Sequence, residues 1–285
     1  NKVFIETAAE FDRFFEANKH RKNEIVAWDL ETSGFNFLTD KVGCIAISFD
    51  GVTGYYIPWS LVDKRKINYL LSNNIQLGAN LKFDCKFLWR EGLPAAAVQE
   101  DIVVLGHVLD ETRSNSLKAL AYYYTIYGGY DFELEEYKRL TGVDNYLEIP
   151  EELLREYAVM DAIVTWRVYD NMIRHTRALD KKYPNEKGTN WTVEDYYRKI
   201  RIPAVNMFAR VEYKGVYVDP DKLEVARSKV QSRIDEIHEL LSEKLGVPKF
   251  FDFGSTKELG KLLDKLNWRD LGRGADGVLQ TADFQ

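Results

Sequence analysis

The chain alternates between short apolar, β-branched runs and longer stretches whose apolar residues recur at helical spacing. Ala9, Phe11, Phe14 and Phe15 stand among charges in residues 6–19, which predicts an opening amphipathic helix. Residues 25–30 read as a buried strand. Two further β-rich runs, 42–49 and 54–59, are separated by the turn Asp50-Gly51. Residues 25–59 therefore predict a three-stranded antiparallel meander. A helical pattern over 60–72 stops at Ser72-Asn73-Asn74. A strand at 75–79, a helix at 81–91 closed by Gly92 and Pro94, and a strand at 98–102 running into a helix through Leu109 follow. A helix at 117–124, a looser Tyr- and Gly-rich stretch at 127–147, and a long helix opened by Pro150 and reaching about Thr176 come next. A meander followed by β-α-β-α units predicts an α/β domain, a mixed sheet with helices on its faces.

The pattern changes after residue 180. Residues 181–190 are polar with Pro184 and Gly188, and read as a linker or exposed loop. Residues 191–213 predict one helix, 213–219 a turn with a short strand, and 221–245 a long charged helix. Its apolar positions are Leu223, Val230, Ile234, Ile237 and Leu241. A last helix is expected over 255–266, capped by Ser255 with Glu258 three residues on. The tail, 272–285, has little periodicity.

Composition adds boundaries. With 285 residues, 45% hydrophobic and 29% charged, the chain can bury a full core without staples. Cys44 and Cys85 match neither a zinc spacing nor a disulfide framework and read as reduced core residues, which makes an intracellular location the expectation. No run of about 18 apolar residues predicts a membrane span. The chain opens on Asn1, which suggests a piece of a longer protein. The net charge of −6 is unlike the basic footprint of most nucleic-acid binders. From residue 201 onward, 14 acids balance 14 bases, so the excess acid lies in residues 1–200. A metal-dependent nuclease must carry acidic ligands, so net charge alone neither supports nor excludes DNA.

The chemistry begins on the first apolar strand. Asp29 and Glu31 are two residues apart and share a strand face. A buried pair of this kind is kept when a cation lies between its members, whereas a lone pair is more often a solvated strand end. Asn80 stands at a strand end, with Asp84 one helical turn further on. Tyr157 and Asp161, at i and i+4, share a helix face flanked by Met160, Ile163 and Val164. A buried Asp without a partner is costly, so Asp161 calls for a cation as well.

The ordered set (Asp29 and Glu31; Asn80 and Asp84; Tyr157 and Asp161) resembles the DEDDy 3′→5′ exonucleases of the ribonuclease H-like class. The resemblance implies a DnaQ-like fold with a mixed five-stranded sheet over residues 1–180. It also implies two divalent cations, Mg²⁺ or Mn²⁺. One is assigned to Asp29, Glu31 and Asp161, the other to Asp29 and Asp84. Tyr157 and Glu31 would orient the attacking water, and the product would be a nucleoside 5′-monophosphate. Related enzymes place a His where this chain has Tyr157. Thr32, Phe35, Asn80 and Arg113 align with nucleic-acid contacts of the family, Phe35 as a wedge beside the terminal base. Asp101 reads as a helix N-cap instead.

The second half resembles the thumb of family A DNA polymerases. Gly215-Val216-Tyr217-Val218-Asp219 and the later Ser255-Thr256-Lys257-Glu258-Leu259 carry this resemblance, although Glu258 replaces a usual Gln. Lys257 and Lys261 are candidate phosphate contacts. Residues 191–285 would then be a truncated, mainly helical thumb, and palm and fingers motifs are absent. The implied partners are a single-stranded DNA 3′ end, primer–template DNA and the rest of a polymerase, with no membrane. Two other readings stand beside this one: a free-standing ribonuclease D-like RNA-processing exonuclease, and a catalytically silent nucleic-acid-binding scaffold.

Overall fold

A computed structural model describes residues 1–184, 191–248 and 250–266. Residues 185–190 of the expected linker, and the whole expected tail, lie outside the described residues. The chain divides into two compact units, Asn1–Gly215 and Val216–Gln285.

The first unit is built on one six-stranded sheet in the order β1-β4-β3-β2-β5-β6. The strands are β1 (Lys2–Phe4), β2 (Ile25–Thr32), β3 (Val42–Ser48), β4 (Gly54–Pro58), β5 (Ile75–Gly78) and β6 (Glu100–Asp101). β2, β3 and β4 form the expected antiparallel meander, while β5 joins β2 and β6 joins β5 in parallel. The expectation of five strands is corrected to six. The extra strand, β1, pairs parallel to β4 with Val3 opposite Tyr55. Three residues are too few for a period-two signal, so only tertiary pairing reveals this strand.

The helices of this unit are α1 (Ala8–Asn18), α2 (Lys64–Asn73), α3 (Lys82–Arg90), α4 (Ile102–Leu109), α5 (Leu117–Tyr124), α6 (Phe132–Thr141) and α7 (Glu151–Lys182). α6 lies inside the stretch expected to be loose. Helices α8 (Val193–Tyr196) and α9 (Ile202–Lys214) flank a π-helical segment, Tyr197–Arg201, where one continuous helix was expected. Pro203 has no N–H to give to the preceding turn, which accounts for the widened segment. This 193–214 stretch packs inside the first unit, against α3 and α7. Asn206 exchanges hydrogen bonds with the backbone of Val98, donating to its carbonyl at 2.6 Å and accepting from its N–H at 3.1 Å.

The core gathers Phe11, Trp28, Ile45, Ile47, Ile57, Leu70, Leu77 and Phe87, all at most 2% exposed. Burying each side chain of this size contributes roughly 1.5–3 kcal/mol. Helix α7 crosses the sheet face that carries Asp29 and Glu31. Its Ala158, Val159, Ala162 and Ile163 pack with Cys44 and Ala46, the residues paired across from those acids. Both cysteines are free and buried.

The expected strand at 98–102 contracts to two residues because Asp101 turns its side chain to other work. Its Oδ1 accepts from the N–H groups of Val103 and Val104 and starts α4, while Oδ2 accepts from Leu81 N–H at 2.8 Å. The Tyr197 hydroxyl in turn accepts from Asp101 N–H at 2.8 Å. Asp101 is wholly buried and so fixes the junction between β5 and α3. Asp101→Ala is expected to cost about 2–4 kcal/mol, combining a lost cap with a stranded buried N–H. Chemical denaturation reads this directly; a loss below about 1 kcal/mol would rule the role out.

In the second unit, α10 (Pro220–Leu245) starts at Asp219, whose carboxylate accepts from the N–H groups of Asp221 and Lys222. α11 (Thr256–Lys265) starts at Ser255, whose hydroxyl accepts from Glu258 N–H at 3.3 Å. The expected short strand within 213–219 is replaced by irregular backbone between α9 and α10. Among the described residues, no helix is long and apolar enough to cross a membrane.

Candidate active site

A cavity of about 540 Å³ opens at the end of β2. Its wall includes Asp29, Glu31, Thr32, Phe35, Asn80, Asp84, Tyr157 and Asp161. Strand parity places Asp29 and Glu31 on one face, and the ladder shifts register between Glu31 and Thr32. This bulge ends regular pairing at the cavity and turns the following loop outward. Opposite it, Gly43 leaves room for the turn at 146–148, since a Cβ there would lie 2.1 Å from Leu147 Cδ2. Asn80 is in the left-handed region, at φ 61, which Asn tolerates better than most residues. It turns the chain from β5 into α3, whose first turn carries Asp84. Tyr157 and Asp161 come from successive turns of α7.

Carboxylate oxygens of Asp29, Glu31 and Asp161 lie within 4.8 Å of one another. Asp84 faces the same cavity and is near enough to raise the carboxyl of Asp29. Burial first, and mutual repulsion second, hold Asp29 and Glu31 well above the usual carboxylate range. Asp84 is also raised well above that range by burial, against hydrogen bonds from backbone N–H groups that lower it. Asp161 is pushed up to about 7 by burial, although hydrogen bonds from Tyr130 and Tyr157 pull the other way. Lys118 and Lys138 are the cations that oppose this at Glu31.

These residues fit a divalent cation. Oε1 of Glu31 is buried without a hydrogen-bond partner, an arrangement that is costly for a carboxylate unless something cationic meets it. The donor set is oxygen only, which suits hard cations and disfavours zinc.

The remaining candidates are placed as follows. Thr32 donates through Oγ1 to the Gly34 carbonyl at 2.8 Å and braces the loop after β2. Phe35 is 90% exposed at the cavity rim, edge-on to Phe83 with ring centroids 6.3 Å apart. Arg113 lies apart from the cavity wall. It pairs with Asp110 at 3.2 Å and lies 4.3 Å from the ring centroid of Tyr123.

Several residues that the sequence did not single out also reach the site. Tyr130 donates to Asp161 Oδ1 at 2.5 Å and stacks on Tyr157. Lys138, Asp144 and Tyr146 line the cavity, and Lys118 lies 5.4 Å from the ring centroid of Tyr157. All five residues come from α5, α6 and the turns around α6, and no spacing to the acids marks them.

Comparison with known proteins agrees with this geometry. Residues 3–177 match a family model described as the 3′–5′ exonuclease of DNA polymerase A. The DNA polymerase I of Borreliella burgdorferi is 26% identical over 274 residues, covering 92% of this chain and 28% of that protein. The DNA polymerase of Escherichia phage T5 is 29% identical over 236 residues, covering 76% of this chain and 26% of that protein. The chain thus spans roughly a quarter of the length of these curated relatives. Among solved structures, the POL domain of Pol1 from M. smegmatis, in complex with DNA primer-template and dNTP, superposes with a TM-score of 0.65. That match has 17% identity over 99% of this chain and 44% of that one, and speaks to the fold alone. The matched segment holds the whole acidic cavity and more than half of the sequence, and the chain belongs to the 3′–5′ exonuclease family of the A-type DNA polymerases.

Proposed function

We propose that this chain removes nucleoside 5′-monophosphates from DNA 3′ ends, as the proofreading portion of an intracellular family A polymerase. The carrying observation is the group of three buried acids, with oxygens within 4.8 Å, in a cavity that Asp84 also faces. Asp29, Glu31 and Asp161 would hold one Mg²⁺ or Mn²⁺, and Asp29 with Asp84 a second. Bound there, the cations supply positive charge at the scissile phosphate and lower the pKa of the attacking water.

The chain's own groups do the rest. Burial and the nearby acids hold the Tyr157 phenol well above its usual range, so it stays neutral and donates a hydrogen bond rather than accepting a proton. The free Oε1 of Glu31 is available to orient the nucleophilic water through a hydrogen bond. Asn80, in the left-handed region and on the cavity wall, would hydrogen-bond the substrate strand. Thr32 stiffens the loop that carries Phe35. The region after residue 190, with Lys257 and Lys261 on α11, is assigned to a partial thumb that meets primer–template DNA alongside the rest of a polymerase.

The test is stepwise shortening of 5′-labelled single-stranded DNA and RNA of one sequence, with and without chelator. Chelator-sensitive DNA degradation from the 3′ end is expected. A strong RNA preference would point to ribonuclease D-like processing, and no degradation at all to a silent scaffold.

Phe35 carries a separate expectation. Stacking of an aromatic side chain on a base contributes about 1–3 kcal/mol. Phe35→Ala is therefore expected to raise KM for single-stranded DNA roughly 5- to 150-fold with little change in melting temperature. Steady-state kinetics at several oligonucleotide concentrations measures it, and an unchanged KM would remove Phe35 from the binding surface.

A further inference from the structure

Tyr130 meets the acidic cavity through a side chain with two distinct contacts. Its hydroxyl donates to Asp161 Oδ1 at 2.5 Å. Its ring lies 6.2 Å from that of Tyr157 with planes 17° apart. Tyr146 packs against Tyr157 as well, with centroids 6.1 Å apart. The residue arrives there by a built turn. Gly129 has φ +82, where any side chain would be strained, and Tyr130 N–H closes back onto the Tyr127 carbonyl at 3.2 Å. Next to it, Asp131 pairs with Lys118 at 3.2 Å, which ties the start of α6 to α5.

We propose that Tyr130 is a positioning residue for the cation site, holding Oδ1 of Asp161 so that its other oxygen faces Asp29 and Glu31. This rests on reading those acids as cation ligands. Outer partners that orient a ligating carboxylate typically change metal affinity or activity by about 10- to 100-fold when removed. Tyr130 and Tyr157 then divide the work. Tyr130 acts on how tightly the cation is held, and Tyr157, which also hydrogen-bonds Asp161, acts on turnover besides.

The test is Mn²⁺ binding by calorimetry on the full chain without nucleic acid. Tyr130→Phe keeps the ring stack and removes only the hydroxyl, so its melting temperature in chelator is expected to stay close to that of the parent. Its Mn²⁺ dissociation constant is expected to rise about 10-fold or more. In nuclease assays its half-saturating Mn²⁺ concentration rises far more than kcat falls, whereas Tyr157→Phe lowers kcat more than Tyr130→Phe does. A double-mutant cycle guards against a general structural effect, because in an Asp161→Ala background the Tyr130 hydroxyl has no acceptor at that position. There Tyr130→Phe is expected to change affinity much less. Unchanged Mn²⁺ affinity in Tyr130→Phe, or an equal loss in both backgrounds, overturns the positioning role. If Asp161→Ala alone keeps parental Mn²⁺ affinity, the cation-site reading itself has failed.

Discussion

Asp29→Asn is expected to lower 3′→5′ exonuclease turnover by at least about 10³-fold, and at the same time to raise the melting temperature of the cation-free protein. The first effect follows from position. Asp29 lies with Glu31 and Asp161 and within electrostatic reach of Asp84, so it is the acid assigned to both proposed cations. Metal charge at a transferring phosphate is worth several kcal/mol, and each 1.36 kcal/mol is a factor of ten in rate. The second effect has the opposite sign because the same residue is a liability when no cation is present. Burial and the charges of Asp84, Asp161 and Glu31 all work against its ionised form. An amide of the same shape removes one charge from that group. Paired nuclease and melting measurements in chelator would show both. If turnover survives, the assigned site is wrong; if turnover falls and the melting temperature falls with it, Asp29 is holding the fold instead.

Excess Mn²⁺ is expected to raise the melting temperature of the parent chain by an amount that grows with pH. Asp29, Glu31 and Asp84 are raised well above ordinary carboxylates, and Asp161 reaches about 7. In the cation-free folded state these groups keep protons that the unfolded chain releases near pH 4. Their contribution to stability is therefore complete below about pH 4 and is lost as pH climbs through 7, at up to about 1.36 kcal/mol per pH unit for each group titrating. A bound cation holds the carboxylates ionised in the folded state and removes that loss. The gap between melting curves with Mn²⁺ and with chelator should thus be small near pH 5 and wide near pH 8. Common effects of pH on the rest of the molecule cancel in the difference. A gap that stays constant or narrows over this range would mean that the acids do not share a cation.

The two predictions draw on residues that the sequence exposes readily, for a geometric reason. Asp29 with Glu31 obeys strand parity, and Tyr157 with Asp161 obeys helical spacing, so each pair converges within its own element. Asp84 follows a strand end by a fixed short turn. Tyr130, Lys118 and Tyr146 obey no such rule. They reach Tyr157 and Asp161 across the fold, from a region whose glycines and tyrosines blur the helical period of α6. The fold shows the same division. The meander and α7 carry long, clean periods. β1 is three residues long, and β6 is cut short because a side chain, Asp101, serves backbone groups that a longer strand would have left to others. Arg113 carries no spacing signal either, and its guanidinium meets Asp110, Tyr123 and Tyr124.

The four acids sit on three elements, and the two ends of the set, Asp29 and Asp161, are brought together by the packing of α7 over the sheet. On the proposed function, cleavage would require all three elements to be in place together. Neither the meander alone nor any single helix presents more than two of the acids. Without α7 in place, the cavity would lack both Tyr157 and Asp161. Nuclease competence would thereby be a global property of the molecule, requiring residues more than a hundred positions apart to meet.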